Sequence, residues 1–362
     1  MAPLRPRPGI LEIEPYIGGK AHAEGAARVV KLSANESPLG PSPRAVAAVQ
    51  AAAAEMHRYP DGGSRALREA IGARFSLDAS RIVCGAGSDE LIQLLMRAYA
   101  GPGDEILYSA HGFLMYKIAA LAAGATPVAA PERGLRADVD TLLARVTSRT
   151  RMVFLANPNN PTGSYLGIEE IERLHAGLPE DVLLVIDAAY AEYVRRNDYT
   201  SGLELAARAP NVVMTRTFSK LFALAALRLG WLYASPAIVD VLHRVRGPFN
   251  VGVPAQVAGI AALEDIEHQE RSRAHNDRWL PWLSQQIEGL GLVVHPSAGN
   301  FLLVEFPQFE GRDALAAGAV LERHGILARA MAAYGLPHCL RLSVGLEDDN
   351  RGLIEAMREA VA

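Results

Sequence analysis

At 362 residues, half of them hydrophobic and about a fifth charged, the chain is globular rather than disordered and long enough for two domains. A formal net charge of −4 offers no basic field, so nucleic acid is excluded as a partner and a small molecule is expected instead. The opening MAPLRPRPGILEIEPY lacks a signal-peptide core, and no window approaches the ~20 apolar residues of a membrane span, since Leu221–Ala234 is broken by Arg228.

Residues 1–40 are rich in Pro and Gly without a long periodic pattern, which predicts an arm that packs on another part of the protein. Pro43–Met56 is alanine-rich and predicts a helix. The turn-forming residues 58–63 follow, then a second helix over Ser64–Phe75 with Ser64 as its N-cap. Short apolar runs then predict strands at Arg81–Cys84, Glu105–Tyr108, Thr126–Ala130, Met152–Ala156, Val182–Ile186, Val212–Thr215 and Gly230–Tyr233. Helical patterns at Asp89–Ala100, Phe113–Ala123, Asp138–Arg145 and Ile168–Ala176 separate most of them. This alternation predicts an α/β layer with a mostly parallel seven-stranded sheet between helices. A long helical stretch from Pro254 to Leu290 leads to strands at Leu292–His295, Phe301–Glu305 and Leu340–Ser343, with helices between and after them, a smaller α+β unit. The expected division is an arm (1–40), a large domain (41–250) and a small domain (251–362). Cys84 and Cys339 stand far apart, which predicts buried free thiols, no metal site and a reducing cytoplasm.

Ligands of open α/β sheets gather beyond the carboxyl ends of the strands, so the loops there are where chemistry is expected. After the first strand, Gly85-Ala-Gly-Ser-Asp-Glu90 exposes backbone N–H groups at a helix start, suited to a phosphate. An ordinary strand–helix turn has the same composition, and a dinucleotide fingerprint fails because Glu90 stands where Gly or Ala is needed. After the fourth strand, Asn157-Pro-Asn-Asn-Pro-Thr-Gly163 makes a rigid loop in which Asn160 can offer an amide to a phenolate oxygen. After the fifth, Asp187 ends an apolar run, where a carboxylate is costly unless paired. A protonated pyridine nitrogen would pair with it, and Tyr190 would reach that ring's 3-oxygen.

After the sixth strand comes Lys220, one of only four lysines (20, 31, 117 and 220) among 36 basic residues. Lysine can lose its proton and attack a carbonyl, which a guanidinium cannot. Lys220 lies between Ser219 and the apolar run Leu221–Leu227, which favours the neutral amine, and Arg228 interrupts that run with a charge that calls for an anion. An isolated lysine is ordinarily a snorkelling surface residue. Together with Thr217, Ser219 and Arg228, however, this one is what a phosphorylated aldehyde requires, and pyridoxal 5'-phosphate fits.

In this order along one sheet, the sequence resembles the fold-type I pyridoxal-phosphate aminotransferases, and within them the histidinol-phosphate aminotransferase subfamily. The resemblance runs nearly end to end: PYIGGK (15–20), NESPLGPS (35–42), RYPD (58–61), GSDE (87–90), NPNNPTG (157–163), DAAY (187–190), TFSK (217–220), LRLG (227–230), GNF (299–301), YGLP (334–337) and LRLSVG (340–345). It implies that Lys220 forms the internal aldimine and shuttles the proton, that Asp187 holds the pyridine nitrogen, and that Asn160 and Tyr190 meet the 3-oxygen. Ser88, Asp89, Thr217, Ser219 and Arg228 would surround the phosphate. Tyr59 would reach it from the neighbouring subunit, so a homodimer is implied. Arg341, helped by Arg329, would clamp an acidic group of the substrate, with Tyr16, Asn35, Asn160 and Asn300 lining that side. Phe113 stands where many relatives stack a tyrosine on the ring, and Phe249 is a second phenylalanine of this kind.

The reaction implied is ping-pong transfer of an amino group from L-histidinol phosphate to 2-oxoglutarate, a step of histidine biosynthesis. The two phenylalanines leave room for an aromatic (Phe/Tyr) aminotransferase. A decarboxylase of a phosphorylated amino acid would use the same cofactor. A cofactor-sensing regulator is disfavoured, because no basic helix–turn–helix pattern precedes Ser33.

Overall fold

Every residue of Leu183–Asp187 is buried, but alternate side chains serve different cores: Leu184 and Ile186 face one, Leu183 and Val185 the other. A strand covered on both faces reads as a continuous apolar run, which is why it was legible. The computed structural model describes residues 4–20, 22, 28–309 and 311–362; residues 1–3, 21 and 23–27 of the expected arm, and 310 of the expected small domain, lie outside these.

The arm ends in β1 (Val30–Lys31), and α1 (Pro43–Ala52) and α2 (Arg65–Phe75) follow. Next come β2 (Ile82–Gly85), α3 (Ser88–Tyr99), β3 (Glu105–Ser109), α4 (Met115–Ala123), β4 (Thr126–Ala130) and α5 (Val139–Leu143). They are followed by β5 (Thr150–Ala156), α6 (Ile168–Gly177), β6 (Leu183–Asp187), α7 (Leu203–Arg208), β7 (Val212–Thr217), β8 (Gly230–Tyr233) and α8 (Pro236–Val245). The seven strands β2–β8 form one sheet in the order β2-β8-β7-β6-β5-β3-β4, and β8 alone runs against its neighbours. All seven expected strands are in it, with helical layers on both faces. The carboxyl ends of β2, β5, β6 and β7 therefore share one edge, and the reversed β8 brings its first residue, Gly230, to that same edge.

The chain continues through α9 (Val253–Glu264), α10 (Ile266–Glu288), β9 (Val293–His295), β10 (Phe301–Glu305) and α11 (Ala314–Arg323). It closes with β11 (Ile326–Leu327), β12 (Arg329–Ala330), β13 (Cys339–Ser343) and α12 (Glu347–Val361). A four-stranded antiparallel sheet, β12-β13-β10-β9, shares a core with α10, α11 and α12 through Leu283, Leu302, Leu321, Leu342 and Met357. β1 pairs in parallel with β11, and Leu32 enters this smaller core, so the end of the arm is built into the smaller unit.

Three expectations change. The stretch from Pro254 to Leu290 is two helices, because Asp265 leaves helical geometry and caps α10 by accepting from His268 N–H at 3.2 Å. Helix α9 buries Ala255, Ala258, Ala262 and Leu263 in the larger core against α1 and α2; we therefore place the boundary between the units at Asp265 rather than at residue 251. Ser64 does not cap α2 with its side chain. It sits in the left-handed region at φ 47°, and Asp61 accepts from Gly63 and Arg65 N–H instead. Helices α7 and α8 were unforeseen, although Ser235-Pro236 is a helix-start signal. Both cysteines are buried and free, as expected.

Candidate active site

A cavity of about 360 Å³ opens at the carboxyl edge of the large sheet, where the segment Lys31–Glu36 crosses from the smaller unit to the larger. Fourteen of the sixteen expected site residues line it: Tyr16, Asn35, Ser88, Asp89, Phe113, Asn160, Asp187, Tyr190, Thr217, Ser219, Lys220, Arg228, Arg329 and Arg341. Tyr59 and Asn300 lie elsewhere.

One wall is an anion cradle. Helix α3 starts at Gly87, whose φ of 83° excludes most side chains, and no side chain caps its first N–H groups, those of Ser88 and Asp89 among them. The positive end of the helix dipole thus faces the cavity. Arg228 reaches across it: Nη2 donates to Asp89 at 3.0 Å, and Nη1 to Ser219 Oγ at 3.4 Å and to the Ala225 carbonyl at 2.9 Å. Ser219 N–H donates to Thr217 Oγ1 at 3.1 Å, completing a group of hydroxyls beside the guanidinium. Tight packing holds the cradle together. A Cβ on Gly230 would lie 2.4 Å from Ser88 N, so only glycine lets β8 approach the start of α3 this closely. The run Leu221–Leu227 is loop with a single 3₁₀ turn, so Lys220 sits on a turn after β7 rather than on a helix.

Farther in are the titrating groups. Lys220 Nζ donates to the carbonyls of Ala34 and Asn35 at 3.2 and 3.3 Å, and lies 5.6 Å from the centre of the Tyr190 ring. Burial, aided by the nearby Arg341 charge, pushes its pKa down to about 8. Asp187 is 5% exposed at the end of β6. Burial lifts its pKa to about 6, against the pull of hydrogen bonds from Tyr116 (2.8 Å) and Thr215 (3.2 Å). Its hydrogen-bonding side chains are neutral hydroxyls, and no cation pairs with the carboxylate among the described residues. Burial likewise pushes Tyr190 up to about 12, so its hydroxyl stays protonated. Asn35 Nδ2 donates to that hydroxyl at 2.8 Å, which frees the phenolic proton for a ligand.

Two further arginines, Arg329 and Arg341, line the cavity. Arg341, on β13, donates through Nη1 to Asn160 Oδ1 and through Nη2 to the Ser33 carbonyl at 2.7 Å. Its Nε is buried without a hydrogen-bond partner among the described residues. With Oδ1 of Asn160 taken by Arg341, Nδ2 is the group that Asn160 offers to a ligand. Arg329 donates to the Ile17 carbonyl at 2.7 Å and lies 5.7 Å from the Tyr16 ring centre, which ties the arm to the cavity wall.

The remaining expected residues do other work here. Asn35 uses its side chain within the protein, on Tyr190 and Ser343, so it positions its neighbours. Asn300 is buried outside the cavity and donates to the carbonyls of Asn35 and Glu36 at 3.2 Å each, fixing that turn. Tyr59 is 83% exposed and stacks on Phe249 with ring centres 4.7 Å apart. Sequence reasoning missed Tyr116 and Thr215 on Asp187, Ser343 under Asn35, and the Lys31–Glu36 ion pair (2.8 Å) at the cavity wall. Only Tyr116 had a signal, as a phenol at helical spacing from the apolar Ala119 and Ala120 in α4.

The donor set fits a planar, phosphorylated pyridinium aldehyde. The cradle suits the phosphate, the unbalanced Asp187 suits a ring N–H⁺, and Tyr190 with Asn160 suits a ring oxygen. Comparison with known proteins agrees. Residues 27–357 match the aminotransferase class I and II family. The chain is 61% identical to a histidinol-phosphate aminotransferase of Paramagnetospirillum magneticum, over 98% of both chains. It is 53% identical to one from Rhodopseudomonas palustris, over 99% of this chain and 98% of that one. Among solved structures, the histidinol-phosphate aminotransferase of Sinorhizobium meliloti in complex with pyridoxal-5'-phosphate superposes with a TM-score of 0.87 at 28% identity, covering 97% of this chain and 96% of that one. This chain belongs to the class I and II aminotransferase family.

Proposed function

We propose that this chain is a pyridoxal-phosphate aminotransferase that moves the amino group of L-histidinol phosphate to 2-oxoglutarate. The observation that carries the reading is a nucleophilic lysine and an uncompensated buried carboxylate in one cavity, in a chain 61% identical end to end to a protein of that name.

The α3 start, Thr217, Ser219 and Arg228 would hold the cofactor's phosphate, Asp187 its ring nitrogen, and Tyr190 and Asn160 its 3-oxygen. Phe113, at the cavity wall, would lie against the ring. When bound, the cofactor supplies an aldehyde that exchanges amines and a cationic ring that accepts the electron pair left at Cα. Lys220 contributes first as a nucleophile, since a pKa of about 8 leaves part of it neutral at physiological pH. Once the donor amine takes its place, Lys220 Nζ holds and moves the proton at Cα. Arg341 offers its unpaired Nε and forked N–H groups to an anion, and Arg329 adds a second charge. The same guanidinium would take the donor's phosphate in one half-reaction and a carboxylate of 2-oxoglutarate in the other.

An aromatic aminotransferase is the second reading, favoured by Phe113 in the wall. The discriminating experiment is a panel of histidinol phosphate, phenylalanine, tyrosine and aspartate, each with 2-oxoglutarate. Histidinol phosphate should give the highest kcat/KM; brisk turnover of phenylalanine or tyrosine with none of histidinol phosphate would reject the proposed donor. We further infer a homodimer acting in the cytoplasm, with Tyr59 entering the partner's cavity; the dimer reading is supported by Tyr59 and Phe249, which stack on each other while both rings remain exposed.

A further inference from the structure

Tyr116 has no part in the reading so far, yet its hydroxyl is the nearest hydrogen-bond donor to Asp187, at 2.8 Å. The residue is fully buried in α4, stacked on Phe154 (4.7 Å) and edge-on to Phe113 (5.9 Å). A phenylalanine would fill that space equally well, so packing does not explain the hydroxyl. Burying a phenol costs stability unless its O–H is satisfied, and here Asp187 Oδ2 satisfies it. Thr215 lies beside Asp187 in the β6–β7 register and donates to Oδ1 at 3.2 Å.

We propose that Tyr116, seconded by Thr215, is a positioning residue that keeps Asp187 ionised and fixes its orientation in the cavity. The inference rests on the reading of Asp187 as the partner of the cofactor's ring nitrogen. A protonated acid cannot hold that nitrogen's proton, so the charge state of this carboxyl sets how well the ring draws electrons. Burial drives Asp187 toward the neutral acid, and the Asp89 carboxylate pushes the same way. Against them act the two hydroxyls and the Ala189 N–H, with the Tyr116 bond the strongest. Tyr116 itself is held far above the ordinary phenol range by burial and by Asp187, so it remains a donor across the working pH range.

The test is Tyr116→Phe in the full chain, reading the Asp187 carboxyl by isotope-edited infrared titration, with Asp187→Asn to assign the band. The Asp187 pKa should rise by about one unit on loss of one strong hydrogen bond. Binding of pyridoxal phosphate should weaken about tenfold, while the melting temperature stays close to that of the parent. Thr215→Val should move the titration the same way by less, and it decides the matter should Tyr116→Phe not fold. An Asp187 titration unmoved in the variants that fold would overturn the proposal. The titration is read without cofactor, so failure of the parent to bind pyridoxal phosphate would sink the cofactor reading and leave this test intact.

Discussion

The chemistry of the cavity depends on two buried groups displaced toward neutrality from opposite directions: Lys220 down to about 8 and Asp187 up to about 6. For Lys220 the sign is simple. The amine is the nucleophile, so its reactive fraction is one half near pH 8, approaches completion about a unit higher and falls about tenfold per unit well below 8. Mixing cofactor-free protein with pyridoxal phosphate in a stopped-flow spectrometer should therefore show capture accelerating with pH and levelling off above about 8. Lys220→Ala should abolish the imine absorbance altogether and lower turnover by ~10⁴-fold or more. A capture rate flat between pH 6 and 8 would contradict the desolvated amine. That Lys220 and Asp187 matter was legible from residue type and place: a rare lysine, and a carboxylate at the end of an apolar strand. What surrounds them was not. Tyr116 lies 71 positions from Asp187 and Asn35 lies 155 from Tyr190, and no local pattern records such pairs.

At the scale of elements, Asp265 links two helix starts. It caps α10 and accepts from the hydroxyl of Ser42, which itself caps α1 by accepting from Arg44 N–H at 3.1 Å and Ala45 N–H at 3.4 Å. The Ser42 hydroxyl holds the Asp265 carboxyl below its ordinary range. A lowered folded-state pKa stabilises the protein above the unfolded value, and that contribution is lost as pH falls through the folded one. Asp265→Ala should cost about 1–2 kcal/mol in urea unfolding near neutral pH, by loss of the cap. The deficit should shrink in acid, where the parent's carboxyl is protonated too. The activity of the folded fraction should be preserved, because Asp265 lies outside the cavity. The same residue shows why one long helix was expected. Periodicity carries on through 254–290, but the first helix ends where Asp265 leaves helical geometry, accepting from His268 N–H and from the Ser42 hydroxyl 223 positions away.

At the scale of the molecule, the cavity is assembled from both units: the sheet edge supplies Asp187 and Lys220, β13 supplies Arg341, and the crossing segment supplies the carbonyls that hold the lysine. A third contribution is proposed from a second copy through Tyr59. Mixing inactive Lys220→Ala chains with impaired Tyr59→Ala chains, under conditions that exchange subunits, should yield activity above that of either parent. Each mixed dimer would then contain one site with both residues intact. No complementation despite proven exchange would place Tyr59 outside the site. The sequence alone determined the α/β sheet and its seven strands, because buried strands declare themselves as apolar runs. It also determined the loops in which the reactive residues stand, because charge and turn chemistry at strand ends are local signals. Only the tertiary structure decided which hydroxyls face Asp187, that Asn300 and Asn35 brace the site from within, and that α9 belongs to the larger unit. Those outcomes depend on contacts between distant residues and on which of several apolar surfaces a helix covers, and both are set by the packing of the whole chain.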